Sequence, residues 1–346
     1  MKILMACYVF PPSVGGIETV SALLADELIR QGEDLRVISQ TPAATEDVSH
    51  GYEVVRRPNP KKLIEMIRWA DVVLHMNISL RLGWPLLFVD KPWVISHHTS
   101  MPQGVRGALK RRCAQGSHNI SVSSRIAAGL GAPSVVIHNA YDDKVFFAGA
   151  ERAPEKDLIF VGRLVTEKGV DCAFSALKQL QQRQLRPTFT IVGSGPEETR
   201  LQQLSAELGL AEQVVFAGPK FGSDLASEMR RHKIMVVPSL YEEPFGIVAL
   251  EGIASGCVVV GSQGGGLKDA IGPCGLTFPN GDVAALASCL EALLSKRDAR
   301  DALRANAAAH LAQFNSAKLG QNYLAVMNSA LASQTKIRFL TKEVTS

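Results

Sequence analysis

The sequence predicts an α/β protein built from two doubly wound domains, and three observations carry that prediction. Short apolar, β-rich runs alternate with helical patterns from Lys2 to Phe278, the order from which parallel sheets are wound. The alternation restarts at Asp157 with a second apolar strand followed by a Gly-containing loop. A length of 346 residues is long for one core and comfortable for two.

The first series opens with an apolar run at Lys2–Phe10, a Pro/Gly loop at Pro11–Gly16 and a helix from Ile17 to Gln31. Val20, Leu23, Leu24, Leu28 and Ile29 recur on that helix at spacings of three and four, which makes one face apolar. Strands are predicted at Leu35–Ser39, Tyr52–Arg56, Asp71–Met76, Trp93–His97, Asn119–Val122 and Val135–Asn139. The second series predicts strands at Asp157–Arg163, Phe189–Val192, Val214–Ala217, Ile234–Pro238, Val258–Gly261 and Leu276–Phe278, with a helix from Val170 to Arg183. Asp142–Lys156 is polar and without periodicity and reads as the linker. Residues 284–331 read as helices, and the last dozen residues as a frayed tail. The expected domains are 1–145, 156–315 and a C-terminal helix and tail at 316–346, the helix packing back on the first domain.

Composition narrows the function classes. A net charge of +4 does not point to a nucleic-acid partner. The six cysteines form no Cys-x-x-Cys pair and no zinc spacing, so they read as reduced core thiols of a cytoplasmic protein. No run of roughly 18 apolar residues is available to cross a membrane. Any membrane contact is expected to be peripheral, at the inner face. The N-terminal apolar run ends in Pro-Pro and Gly-Gly, which reads as a first buried strand rather than a signal peptide.

In doubly wound sheets ligands bind at the C-terminal ends of the strands, and the informative residues lie in those loops. Arg163 ends a strand and Lys168 begins a helix, so two cations meet free helix N–H groups, a combination suited to a diphosphate. In Pro238–Gly256 a polar loop carries Glu243, and a helix beginning near Phe245, Gly246 and Ile247 carries Glu251. The amides at that helix start suit phosphate or hydroxyl oxygens. A carboxylate at Glu251 lies among apolar neighbours and needs a partner. Gly15 and Gly16 admit a phosphate to backbone amides. Gly193 and Gly195 precede Pro196, read as the first residue of a helix. Gly265 and Gly266 follow another strand end. His97 and His98 end the strand at Trp93, and either ring can face a ligand.

The order Arg163/Lys168, Ser239, Glu243, Glu251, Gly265–Gly266 closely resembles the retaining glycosyltransferases of family 4, including an unbroken E-x7-E signature. The resemblance extends to Pro11–Pro12 with Gly15–Gly16–Ile17–Glu18, and to His138–Asn139 with Phe146. Ala140 departs from the glycine that usually follows this asparagine. The resemblance implies the GT-B fold, two Rossmann-like domains facing across a cleft. It also implies transfer of a hexose-type sugar from a UDP- or GDP-sugar with retention. Glycan, lipid or polyprenyl-diphosphate-linked acceptors in surface polysaccharide or glycolipid biosynthesis are the implied setting. His98, Arg163, Lys168 and Glu243 become the catalytic candidates. Gly15, Gly16, Gly193, Gly195, Phe245, Gly246, Ile247, Glu251, Gly265 and Gly266 become the donor-binding ones. No cofactor or metal is implied: the sequence contains no Asp-x-Asp, and Arg163 with Lys168 takes the cation's electrostatic role.

Two other functions suit the same architecture, a non-hydrolysing sugar-nucleotide epimerase and an inactive sugar-nucleotide-binding protein. From Arg56 to Arg125 the chain has twelve basic residues against three acids. The tightest group, Lys110, Arg111 and Arg112, reads either as an acceptor or anionic-membrane face or as a solvated surface.

Overall fold

The computed structural model describes residues 1–43, 50–149 and 155–333. The chain forms two compact units, Met1–Asn139 together with the segment from Ser316, and Ala140–Asn315.

The first unit is built on seven parallel strands: β1 (Lys2–Cys7), β2 (Asp34–Ser39), β3 (Glu53–Arg56), β4 (Val72–Met76), β5 (Trp93–His97), β6 (His118–Ser121) and β7 (Val135–Val136), in the order β3-β2-β1-β4-β5-β6-β7. From Ile3 to Cys7 every residue of β1 is buried, as are all of β4 and β5, because helices cover both faces of the sheet. The helix Pro60–Trp69 starts on a proline, with the Asn59 side chain accepting from the Lys62 amide at 2.9 Å. It buries Leu63, Met66 and Ile67, three positions on one face.

The helix Ser316–Ala332 belongs to this first unit. Its fully buried Tyr323 places a hydroxyl 2.6 Å from Ser96 Oγ on β5. Gln31, at the end of the helix Gly16–Arg30, reaches the Ala317 carbonyl at 3.3 Å. The tail read as frayed, from Thr335 onward, lies outside the described residues.

The second unit has six parallel strands: β8 (Lys156–Val161), β9 (Phe189–Val192), β10 (Val214–Phe216), β11 (His232–Val237), β12 (Val258–Ser262) and β13 (Gly275–Phe278), in the order β10-β9-β8-β11-β12-β13. Phe160, Phe174 and Phe189 anchor its core, the last two edge to face with centroids 6.3 Å apart. Residues 140–149, expected to lie in the first domain and linker, belong instead to this unit. The Tyr141 amide donates to Phe314 O at 3.2 Å, Phe146 is buried, and Arg230 lies over the Phe147 ring at 5.3 Å. Hydrophobic anchoring of this segment wins over its polar composition.

In both sheets the strand order reverses direction once, between β1 and β4 and between β8 and β11. Neighbouring loops diverge there and leave a crevice at the strands' C-terminal ends.

Candidate functional site

The crevice of the second unit is flanked by the loops after β8 and β11, and these carry Arg163, Lys168 and Glu243. Lys168 ends the short 3-10 turn Thr166–Lys168, just before the helix Val170–Gln182. Its Nζ lies 2.6 Å from Glu243 Oε1. Ser239 Oγ donates to the same oxygen at 2.7 Å, and the Tyr241 hydroxyl donates to Oε2. Glu243 is only 6% exposed, and this cluster of donors satisfies its buried carboxylate oxygens. Of the roughly four lone-pair directions a carboxylate offers, about one remains for a further donor.

Arg163 is exposed and has no ion-pair partner among the described residues. Its charge nevertheless reaches the Tyr241 phenol, opposing the upward push from burial and from Glu243. The result is an unpaired guanidinium beside a paired ammonium at one strand end.

Backbone contacts tie the loops of this unit together. Leu164 N donates to Ser194 O at 2.9 Å, and Leu240 N to Glu167 O at 2.8 Å. Glu243 forms an isolated parallel bridge with Gly265, and Gly266 N donates to Glu243 O at 2.8 Å. Asn280 then clamps three positions. Its Oδ1 accepts from Gly264 N at 2.9 Å, and its Nδ2 donates to Ser239 O and Tyr241 O, each at 3.1 Å.

Two glycines are dictated by this weave. Gly265 has φ of 72°, and a Cβ there would fall 2.0 Å from Glu243 O. At Gly193 a Cβ would lie 1.9 Å from Gly162 O. At Gly195 a Cβ would lie 2.4 Å from Leu164 O, a slightly looser approach that is still too close for a side chain. Pro196, expected to open a helix, lies in a turn before it, and the helix runs Glu198–Glu207.

The helix that follows the Glu243 loop runs Ile247–Ala254, so Phe245 and Gly246 precede it. Phe245 is 1% exposed and packs on Phe314 at 5.8 Å, a core role rather than an open one. The amides of Gly246 and Ile247 donate to no acceptor among the described residues. Glu251, one turn on, is half-buried, and its side chain makes no hydrogen bond or ion pair among the described residues. Burial, with the negative charge of Asp142 added, pushes its carboxyl up to about 7.

In the first unit the structure brings different residues forward. A cavity of about 580 Å³ lies at the β1/β4 crevice, lined by Tyr8 and Val9 after β1, Asn77–Arg81 after β4, and His97 with Thr99–Pro102 after β5. His97 faces it, with Nε2 2.9 Å from Asn119 Oδ1. His98, the histidine selected from sequence, does not line it. Its ring Nε2 is 3.0 Å from Ser96 Oγ, and it is 3% exposed. Burial lowers its basicity to a pKa of about 3, so the ring is neutral. Side chains alternate along a strand, and the adjacent pair is therefore split between cavity and core.

Gly15 caps the helix Gly16–Arg30 with extended backbone. The Glu18 carboxylate folds back over it, accepting from Ser13 Oγ at 3.0 Å. A phosphate approaching Gly15 and Gly16 meets this carboxylate first. Of the expected basic triplet, Lys110 lines the cavity whereas Arg111 and Arg112 do not. Arg111 reaches Pro102 O at 3.4 Å, and Arg112 is exposed.

Asn280, Arg81 and Arg106 were not singled out by sequence reasoning. Asn280 lies in a Pro-Asn-Gly-Asp turn, whose composition signals only a turn. The two arginines were hidden within a long basic stretch.

Two parallel sheets, each with a strand-order reversal, form the α/β architecture that this chain shares with GT-B glycosyltransferases of known structure. Residues 142–310 match the family described as glycosyl transferases group 1. The chain is 28% identical to a glycogen synthase of Mycobacterium tuberculosis, over 85% of this chain and 86% of that one. It is 36% identical to a D-inositol 3-phosphate glycosyltransferase of Acidothermus cellulolyticus, over 51% of this chain and 42% of that protein. Its fold matches a sucrose-phosphate synthase from Thermosynechococcus elongatus with a TM-score of 0.81 at 19% identity, over 96% of this chain and all 100% of that one. Anabaena HepE, solved with UDP and glucose, matches with a TM-score of 0.81 at 18% identity, over 95% and 100% of the two chains. No helix among the described residues is long and apolar enough to cross a membrane.

Proposed function

We propose that the chain is a retaining transferase of family 4 that moves a hexose-type sugar from a UDP- or GDP-sugar to a glycan or lipid-linked acceptor, in surface polysaccharide or glycolipid assembly. The observation that carries this reading is the Lys168–Glu243 pair beside the unpaired Arg163 at the second sheet's strand-order reversal. That Anabaena HepE was solved with UDP and glucose supports a nucleotide-sugar donor.

In this reading the leaving nucleoside diphosphate gains negative charge as the bond to the sugar breaks. Arg163, Lys168 and the amides of Gly246 and Ile247 stabilise that charge, and fixed donors of this kind carry most of the catalytic effect. Glu243 holds Lys168 in place and offers its remaining lone pair to a sugar hydroxyl. Glu251 accepts the ribose hydroxyls, which lowers its raised pKa by giving the carboxylate partners. The departing phosphate takes the acceptor's proton from the same face, consistent with retention and with no protein nucleophile. A metal is not required in this scheme, because the two cations do its electrostatic work.

The test is turnover of UDP- and GDP-sugars with and without added acceptor, read by NMR of the anomeric proton. Product that keeps the donor's anomeric configuration supports the reading. Inverted product contradicts it. Conversion of the donor with no acceptor present would indicate an epimerase instead.

A further inference from the structure

The cavity of the first unit has an unusual electrostatic lining. Arg81, Arg106 and Lys110 all face it, and no Asp or Glu is among its lining residues. None of the three cations has an acidic partner among the described residues. Arg106 and Lys110 stand four apart on the helix Gly104–Gln115, so they share a face and repel each other. The first turn of that helix has no acid, and its positive end adds to the same field. Lys110 is also partly desolvated, which weakens its hold on its proton. Each of these features is unfavourable in an empty cavity and favourable around an anion. Val9, Ile17, Ile78, Leu80 and Met101 give the same space an apolar side, while Asn77, Ser79, Thr99 and Ser100 add neutral polar groups.

We propose that this cavity is the acceptor subsite and that it takes a phosphate-bearing amphiphile, with the phosphate on Arg81, Arg106 and Lys110 and the apolar portion against Ile17, Leu80 and Met101. The proposal rests on the transferase reading above, in which the donor occupies the second unit, and it narrows the acceptor to one chemical class. A neutral glucan leaves three unpaired cations facing it, so it fits this wall poorly. His97, its basicity lowered by burial and its ring held by Asn119, adds a hydrogen-bonding group to the lining.

The test is calorimetric titration of the whole chain with octyl phosphate below its micelle concentration, and with octyl glucoside and glycerol phosphate as partial mimics. Octyl phosphate should bind more tightly than either. Arg106→Gln and Lys110→Gln should each weaken it about tenfold. Arg112→Gln, outside the cavity, should leave it unchanged, and added salt should weaken the wild type. Equal binding of octyl glucoside would overturn the anionic half, and equal binding of glycerol phosphate the apolar half. An Arg112→Gln loss as large as the others would assign the effect to a general charged surface, such as one that docks on anionic membranes. UDP and GDP are titrated into the same samples. If neither binds the wild type, the donor reading fails, while the octyl phosphate result still decides the cavity.

Discussion

Lys168 Nζ sits 2.6 Å from Glu243 Oε1, and Ser239 and Tyr241 complete the carboxylate's shell. The arrangement joins a cation suited to phosphate and a carboxylate suited to hydroxyls in one unit. Removal of either partner leaves the other charge partly buried and unsatisfied. Lys168→Ala is therefore expected to lower the transfer rate by about 10²–10³, the scale of losing one fixed electrostatic donor. Steady-state kinetics with a UDP- or GDP-sugar measures this, and a near-normal rate would sink the assignment.

Glu251 gives a pH signature. Its folded-state pKa is raised from 4.5 to about 7, so the native chain binds more protons than the unfolded chain between those values. Stability from this group is present below about pH 4.5 and declines as pH rises towards 7. Denaturant melts across that window should slope downward, and Glu251→Gln should flatten the slope. Nucleotide affinity should run the other way, rising through the same window as the carboxylate becomes available to ribose hydroxyls. An affinity that is flat with pH in the wild type argues against the ribose contact.

Asn280 holds Gly264, Ser239 and Tyr241 at once. Asn280→Ala is expected to cost about 1–3 kcal/mol from unsatisfied polar groups and to raise the KM for donor, because the loops it ties carry the Glu243 cluster. Wild-type KM with wild-type melting would show the clamp to be dispensable.

Gly265→Ala forces a Cβ to within 2.0 Å of Glu243 O at a φ of 72°. Backbone strain of this kind costs about 1–3 kcal/mol before the clash is counted. A lowered melting temperature, accompanied by loss of donor binding, is the expected outcome. An unchanged protein would mean that the Glu243–Gly265 bridge is not held in solution.

The strand at Trp93–His97 was read at its observed bounds, because a run bounded by Lys-Pro and a polar turn punctuates it on both sides. At Lys2–Phe10 the reading overran to Phe10, since the three residues after Cys7 continue the apolar run while leaving the sheet. Arg163, Lys168, Glu243 and Glu251 were legible because chemistry and spacing coincide along short segments. Asn280 was not, since its partners lie up to 41 residues away and only the folded loops bring them together. The choice between His97 and His98 turned on which ring lines the cavity, a property of the pleat that a sequence of two adjacent histidines does not express. Assignment of residues 140–149 to the second unit likewise depended on packing of Tyr141 and Phe146, two apolar residues in an otherwise polar stretch.

A nucleoside diphosphate is expected to bind against Arg163 and Lys168. Isothermal titration of UDP and GDP into the wild type and into an Arg163→Ala/Lys168→Ala double variant tests it most directly. One of the two nucleotides is expected to bind the wild type and to lose about a hundredfold or more in the double variant, each charged contact contributing about tenfold, while the free nucleoside binds both alike. Equal affinity of the diphosphate for both proteins would contradict it.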